Sequence, residues 1–255
     1  MAVLVDDIGS FPLPGNVSRK EFSDAYPEAQ RALAEGRNIL DEPFLKEKFY
    51  DIVAASLWMK VDSGIDVVTY PQHYNMYQQF LDPIQEHQIE PFMIDKKYAV
   101  IPEVFVAEEE AKKNFDKKGK LNLKLCVTGP IELYIRTSFG YNIYEDILQN
   151  IAESVNRFLK NSIVKSKYIA TPVVSLDEPS LGHVDLLNIE EDALISILQR
   201  AAGGISPRVQ IHLHTLKAAH IPLQADGIDV ITAEFAASPG NIDLISRHTL
   251  DEHDK

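Results

Sequence analysis

The sequence predicts an α/β fold of the TIM (β/α)8 type, in which parallel strands alternate with helices around a closed barrel. Short β-branched runs alternate with longer segments whose apolar residues recur at helical spacing, and this order is typical of right-handed β–α–β crossovers. Polar residues follow several of the strands, which favours a barrel because its strand ends all face one mouth. An open doubly wound sheet is the competing architecture, but it collects its site at one switch point.

Strands and connecting helices account for most of the 255 residues. The seven predicted strands are Val3–Ile8, Ile65–Tyr70, Tyr98–Val106, Leu121–Val127, Pro172–Leu176, Val209–His214 and Ile228–Ala233. The main predicted helices are Ser18–Gly36, Glu42–Ser63, a segment from about Asn75, Ile131–Ser138, Tyr144–Val164, Glu190–Ala202 and Gly240–Ser246. A barrel of seven strands leaves two unpaired edges. We therefore expect one domain over residues 1–255, with either an eighth β/α unit missing from its end or one strand overlooked.

The helix Glu42–Ser63 carries the clearest local signals. Pro43 stands in its first turn, where a proline is tolerated. Asp41 can cap its start, and Gly64 can end it.

Composition and charge exclude several classes of function. The formal net charge of −13 disfavours nucleic acid and anionic membranes as partners. The single cysteine, Cys126, cannot form a disulfide within the chain, and the N-terminus lacks a signal-peptide pattern, so we expect a cytoplasmic protein. No apolar run approaches the ~20 residues that a membrane helix requires. The oligomeric state is left open.

The segment I-H-L-H-T places two histidines at the end of a predicted strand. Because side chains alternate along a strand, His212 and His214 share one face. Two imidazoles on a rigid element are good transition-metal ligands, although core histidines bonded to neighbouring carbonyls are the alternative. Glu234 ends the next strand, where a carboxylate either joins a metal held by His214 or pairs with a lysine or arginine.

Two further strand ends carry polar residues. Asp177 and Glu178 follow the fifth strand and point to opposite sides, so one of them faces the site, where it holds a substrate ammonium or acts as a base. A helix cap is the alternative. Gly9 and Ser10 offer N–H groups and a hydroxyl to a carboxylate, although a plain turn also explains them. The sequence has no Walker loop, no G-x-G-x-x-G after a strand and no G-x-S-x-G elbow, and nothing around Cys126 marks a nucleophile.

In chain order, these motifs resemble the C-terminal catalytic barrel of cobalamin-independent methionine synthase, over nearly the whole chain. The matching segments are I-G-S-F-P (8–12), C-V-T-G-P-I-E-L (126–133), L-D-E-P-S-L (176–181), Q-I-H-L-H-T (210–215) and D-V-I-T-A-E-F (229–235). Each segment stands at a strand end, as the family pattern requires.

The resemblance implies a role for each matching residue. His214 and Glu234 would be ligands of Zn2+. Ser10 would bind the carboxylate of homocysteine, and Asp177 would be the catalytic residue that holds its amino group. The implied substrate-binding residues are Ile8, Gly9, Ser10, Gln72, Asp177 and Glu178.

Two positions depart from the family pattern. Leu216 stands where the family has a cysteine ligand of zinc, and a further cysteine ligand belongs to the eighth strand region, which is not found here. We therefore expect an incomplete zinc site, with His212 or His220 supplying the lost ligand. Gln72 replaces an acidic residue, which weakens the grip on a substrate ammonium.

The implied function is a zinc-dependent methyltransferase that moves a methyl group from a methyl-pterin or a methyl-corrinoid protein to the thiol of homocysteine, forming methionine. A free thiol has a pKa of roughly 8.5, and zinc coordination replaces its proton. Two alternatives stay open. One is a uroporphyrinogen-decarboxylase-like corrinoid methyltransferase acting on coenzyme M, which Gln72 favours. The other is a degenerate barrel that binds a ligand without catalysis, which Leu216 favours.

Overall fold

A parallel sheet organises residues 4–245, which the computed structural model describes. Its strands, together with those of a small hairpin, are β1 (Val68–Thr69), β2 (Gln88–Glu90), β3 (Met93–Ile94), β4 (Leu121–Thr128), β5 (Ile169–Ala170), β6 (Val173–Asp177), β7 (Arg208–Leu213) and β8 (Val230–Ala233). β1, β4, β6, β7 and β8 lie side by side in that order, and β5 pairs with the beginning of β4. β2 and β3 form the antiparallel hairpin. Val3 and Ser246, the outer ends of the predicted first strand and last helix, lie outside the described residues.

The predicted first strand lies beside β1 without forming a continuous ladder. Parallel bridges join Asp6 to Val67 and Ser10 to Gln72, so this segment extends the sheet beyond β1. The parallel segments then follow one another in chain order across the sheet, as in a barrel and unlike a doubly wound fold. Within residues 4–245 no strand pairs with the outer edge of β8, so a parallel arc is observed rather than a closed barrel.

The helices flank this arc. They are α1 (Arg19–Ala34), α2 (Pro43–Leu45), α3 (Asp51–Asp62), α4 (Gln78–Glu86), α5 (Pro102–Lys118), α6 (Pro130–Ile135), α7 (Glu145–Ser162), α8 (Glu191–Ala202), α9 (His220–Gln224) and α10 (Asn241–Leu244). α7 buries Leu148, Ile151, Val155 and Phe158 at helical spacing, and this apolar stripe packs into the main core. None of the helices in the described residues has the length and apolarity needed to cross a bilayer.

The predicted third strand, Tyr98–Val106, is wrong. Lys96–Tyr98 form a 3-10 turn, and the chain enters α5 at Pro102. Proline suits the first turn of a helix because the N–H that it lacks would have no partner there. Val104 and Val106 are both buried within α5, so burial on more than one side outweighs the β preference of branched residues.

The predicted helix Glu42–Ser63 is found but is divided. A π-helical turn, Lys46–Tyr50, separates α2 from α3. Asp41 does not cap the helix as predicted: the cap residue is Glu42, without a side-chain hydrogen bond. Gly64 follows the helix with a φ of 89°, the left-handed conformation that favours glycine at a helix end.

The sequence does not predict the β2–β3 hairpin, because its strands are too short for a periodic pattern.

Glu103 is a buried carboxyl on α5. Only 1% of the residue is exposed. The hydroxyl of Tyr26 donates to Glu103 Oε2 at 3.1 Å, while Oε1 has no hydrogen-bond partner among the described residues. Burial raises the pKa of Glu103 from 4.5 to about 8, although the hydrogen bonds that it accepts oppose the shift. The folded protein therefore binds this proton more tightly than the unfolded chain does.

We expect Glu103→Gln to flatten the pH dependence of stability. The protonated carboxyl stabilises the fold fully below pH 4.5, and this contribution is lost as pH rises towards about 8. Glutamine has no proton to lose, so between these limits the variant should lose less stability than the parent, by about 2–5 kcal/mol. Urea unfolding across that pH range measures the difference. Glu90→Gln, an exposed position on β2, is the control, and equal slopes for all three proteins would contradict the prediction.

Candidate metal site

The carboxyl ends of β6, β7 and β8 meet at a cavity of about 170 Å³. The strand register pairs Thr128 with Asp177, Asp177 with His212 and His212 with Thr232. Paired residues in adjacent strands lie on the same face of a sheet, so the strand ends present their polar side chains together. The lining residues are Ile8, Ser10, Met76, Tyr77, Lys124, Cys126, Ser175, Asp177, Pro179, Gln210, His212, His214 and Glu234.

Asp177, His212 and His214 form a compact group of metal-ligating side chains. Each offers one donor atom, and these atoms lie within 4.8 Å of one another. The ring centroids of the two histidines are 6.0 Å apart. Glu234 Oε1 lies 3.6 Å from His214 Nε2, so a second carboxylate borders this cluster.

His212 is oriented by Thr232 on the neighbouring strand. The Thr232 hydroxyl donates to the carbonyl oxygen of Ile211 at 3.3 Å, and His212 Nδ1 lies 3.1 Å from the same hydroxyl. Because the hydroxyl proton is already used, Thr232 Oγ1 accepts from Nδ1–H, and this hydrogen-bond network assigns the lone pair to Nε2. Such an outer hydrogen bond is the usual support of a metal-bound imidazole. Burial, followed by the charge of His214, lowers the pKa of His212, which favours the neutral ring that a metal requires.

Asp177 brings a buried oxygen atom to this cluster without a partner. No hydrogen-bond donor within residues 4–245 reaches its Oδ1. Burial raises the pKa of Asp177 to about 6; His214 lowers it, whereas Glu132 and Glu234 raise it. A buried carboxylate oxygen without a donor is costly unless a cation or a proton neutralises it.

The donor set fits zinc. Two imidazoles and a carboxylate are the protein ligands of many catalytic zinc sites, which keep one position open for water or substrate. The unpartnered Asp177 Oδ1 is the atom that such an ion would satisfy. Leu216 packs against the hydrophobic core instead of supplying a donor atom. His220 Nε2 lies 3.1 Å from Glu191 Oε1 at the protein surface. Of the two histidines predicted to replace the lost ligand, His212 and His220, only His212 therefore lies in the cluster.

The predicted carboxylate-binding turn lies at the edge of the cavity. Ile8 and Ser10 line it, whereas Gly9 supports the backbone behind them. Gly9 has a φ of 88°, and a Cβ there would lie 2.5 Å from Gln72 Oε1. The N–H of Ser10 donates to the carbonyl of Ile8 at 3.1 Å, so the Ser10 hydroxyl is the group left for a ligand. Lys60 Nζ donates to the Gly9 carbonyl at 3.1 Å.

Gln72 and Glu178 lie outside the cavity lining. Gln72 Nε2 donates to the Cys126 carbonyl at 3.0 Å. Both oxygens of Glu178 accept backbone N–H groups, from Ile131 and Glu132 at 2.9 Å each, and thereby cap the start of α6. Asp177 therefore faces the cavity, while Glu178 faces the start of α6.

The motif patterns do not predict several lining residues. Lys124, Cys126, Ser175 and Gln210 project into the cavity below the metal-ligating cluster. The signal that finds them is alternation, because Lys124 and Cys126 occupy alternate positions of L-N-L-K-L-C-V-T on β4. A lysine between two leucines of a strand is the most informative of these signs.

No protein-family model and no curated protein matches the sequence. Among solved structures, a B12-independent methionine synthase from Shewanella sp. W3-18-1, in complex with selenomethionine, is similar with a TM-score of 0.49 and 15% identity, covering 73% of this chain and 63% of that one. One assigned as a vitamin-B12-independent methionine synthase from Listeria monocytogenes is similar with a TM-score of 0.48 and 11% identity, covering 90% and 73%. The chain thus spans less than two thirds of the Shewanella structure.

Proposed function

We propose that the protein is a zinc-dependent methyltransferase that methylates the thiol of a small substrate in this cavity, with homocysteine as the acceptor. The observation that carries the proposal is the unpartnered Asp177 Oδ1 beside the two histidines of the cluster. A cation held there would remove the cost of burying that oxygen. The order of strand-end motifs in the sequence supports the same proposal.

Asp177, His212 and His214 would hold the zinc, with Glu234 bordering them. When bound, zinc lowers the pKa of a coordinated thiol so that a thiolate exists at neutral pH. The chain's own groups orient the reaction: Thr232 fixes the ring of His212, and the Ser10 hydroxyl is placed to bind a polar group of the substrate. The cavity would hold the acceptor thiol close to the metal-ligating residues, and such positioning accelerates an in-line displacement.

We also propose a methyl-pterin or a methyl-corrinoid protein as the donor, and a (β/α)8 barrel as the complete architecture. The chain order of the parallel segments supports the barrel. The net charge of −13 argues against nucleic acid as a binding partner. The buried free thiol of Cys126 supports a reducing compartment such as the cytoplasm.

Coenzyme M is a second candidate acceptor, in a corrinoid-type methyltransferase. Gln72 donates its amide to the Cys126 carbonyl, and Asp177 belongs to the metal-ligating cluster. Gln72 lies outside the cavity lining, and Asp177 would be engaged by the metal, so neither side chain would hold a substrate ammonium. Coenzyme M has a thiol but no ammonium, so the same site would accept it.

The test is methyl transfer by the zinc-loaded protein, with methylcobalamin and methyltetrahydropterin supplied separately as donors. We expect methionine from homocysteine, and we expect the product to disappear after chelation and to return with zinc. Faster methylation of coenzyme M would support the second candidate. Stoichiometric zinc without methylation of either thiol would contradict both candidates and favour a ligand-binding barrel. Failure to bind zinc would overturn the site itself.

A further inference from the structure

Lys124 is a buried lysine on the inner face of β4, and it lines the same cavity as the metal-ligating cluster. Only 1% of its side chain is exposed. Its Nζ donates to Asp6 Oδ2 at 2.7 Å and to the carbonyl oxygen of Asp7 at 3.1 Å. A lysine ammonium has three N–H donors. The described residues therefore supply acceptors for two of them and leave the third for the cavity.

Lys60 is a second buried lysine, and the number of acceptors around its ammonium can be compared with the number around Lys124. It is also buried, with 3% of its side chain exposed. Its Nζ lies 2.5 Å from Asp7 Oδ2 and donates to the carbonyls of Gly9 at 3.1 Å and Thr69 at 3.0 Å. These acceptors saturate the ammonium, and Lys60 is absent from the cavity lining. Of the two lysines, Lys124 is the one with both an unused donor and a cavity beside it.

We propose that Lys124 is an anion-binding subsite of the cavity, which holds the carboxylate or sulfonate of a small ligand whose other end reaches the metal-ligating cluster. Charge-assisted hydrogen bonds from an ammonium to an oxyanion are roughly twice as strong as neutral ones. The part of this inference that concerns a thiol rests on the proposed function. The anion subsite rests on Lys124 alone.

The subsite shares one cavity with Asp177, His212 and His214, the three residues of the metal-ligating cluster. The cavity of about 170 Å³ has room for a ligand with a few heavy atoms beyond its acidic group. The charge of Lys124 contributes to the lowered pKa of His212, after the larger effects of burial and His214. It also acts on the thiol of Cys126, whose pKa is raised to about 12 chiefly by burial. The ammonium therefore lies within electrostatic range of two groups on the cavity wall.

The experiment measures anion binding by the full chain, both metal-free and zinc-loaded, with probes that lack a thiol. Propionate and ethanesulfonate represent the two sources of negative charge, and propionamide is the neutral probe of similar shape. In titration calorimetry we expect the metal-free protein to bind at least one anion roughly 10-fold more tightly than propionamide. The better anion identifies the acid that the subsite suits.

Lys124→Met is expected to abolish this preference for anions, and Lys124→Arg is expected to retain it. Lys113→Met is the control, because it removes an ammonium that pairs with Glu110 on α5, away from the cavity lining, and it should leave the preference unchanged. Near-ultraviolet circular dichroism verifies that each variant is folded. If a methionine variant does not fold, 15N-lysine NMR of the unaltered protein decides. The Lys124 resonance should shift with the preferred anion and not with propionamide.

Equal affinities for anions and propionamide in the unaltered protein, or an anion preference that survives Lys124→Met, would overturn the subsite. Either result would leave the proposed methyl transfer intact, because no zinc or thiol takes part in the metal-free titration. The reverse outcome is equally informative. An anion preference that depends on Lys124, in a protein that methylates no thiol, would support the subsite and reject the proposed function.

Discussion

Replacing His212 and His214 together by alanine is expected to weaken zinc binding by more than about 100-fold. Loss of a hydrogen-bonding partner behind a metal ligand typically costs 10–100-fold in affinity, so loss of two imidazole ligands costs more. The variant retains Asp177 and Glu234, two carboxylates that lack the nitrogen donors zinc prefers. Competition against a chromophoric chelator at neutral pH measures the zinc affinity of each protein.

Two further variants make this prediction specific. Thr232→Val keeps the shape of the side chain but removes the hydroxyl that accepts from His212 Nδ1, and we expect about a 10-fold loss of zinc affinity. His220→Ala removes an imidazole that contacts Glu191 on the surface, and it should bind zinc as the parent does. If the double histidine variant keeps full affinity, or if His220→Ala loses as much, zinc is bound elsewhere.

The residues of this cluster differ in how far the sequence can predict them. His212 and His214 are predictable because alternation along a single strand is a local property. The place of Asp177 beside them depends on β6 pairing with β7 in the register that sets Asp177 opposite His212. Local periodicity does not encode a pairing between strands far apart in the chain. The motifs therefore point to Glu234 as a zinc ligand, whereas the structure brings Asp177 into the cluster and leaves Glu234 at its border.

The same distinction applies to the fold. β4, β6, β7 and β8 are predictable because an apolar or β-branched run and a breaking glycine or proline lie close together in the sequence. α5 is mistaken for a strand because its branched residues are buried on more than one side, which only the packed structure reveals. Lys124 is overlooked for a related reason. Its partners Asp6 and Asp7 lie more than a hundred residues away along the chain, and no local pattern connects them.

Gly129→Ala is expected to destabilise the protein by about 2–5 kcal/mol. Gly129 has a φ of −69°, which alanine adopts without strain, so the backbone is not the cause. A Cβ at this position would lie 2.2 Å from Glu178 Cδ and 2.3 Å from Cγ. The whole buried side chain of Glu178 would have to move, and the N–H groups of Ile131 and Glu132 would lose their acceptor.

Gly15→Ala is the control for the loss of a glycine, because a Cβ there meets nothing within 4 Å. Urea unfolding should show a change of at most about 0.5 kcal/mol for this surface substitution. Gly129→Ala should also weaken zinc binding, because Asp177 precedes Glu178 directly and moves with it. A stability loss confined to Gly129→Ala, with zinc affinity unaltered, would mean that Asp177 holds its position independently of the α6 cap.

Glu178→Ala tests whether the contact with Glu178 causes the loss of stability expected for Gly129→Ala. By itself it removes the cap of α6 and should destabilise the protein, because two buried N–H groups lose their acceptor. In that background, Gly129→Ala should cost almost nothing, since the side chain that the new Cβ would meet is gone. The two effects should therefore fall short of additivity by about 2–5 kcal/mol, the whole cost of Gly129→Ala in the parent. Additive losses would show that Gly129 and Glu178 act separately, and the T-G-P and D-E-P motifs would then lack the physical link that this contact provides.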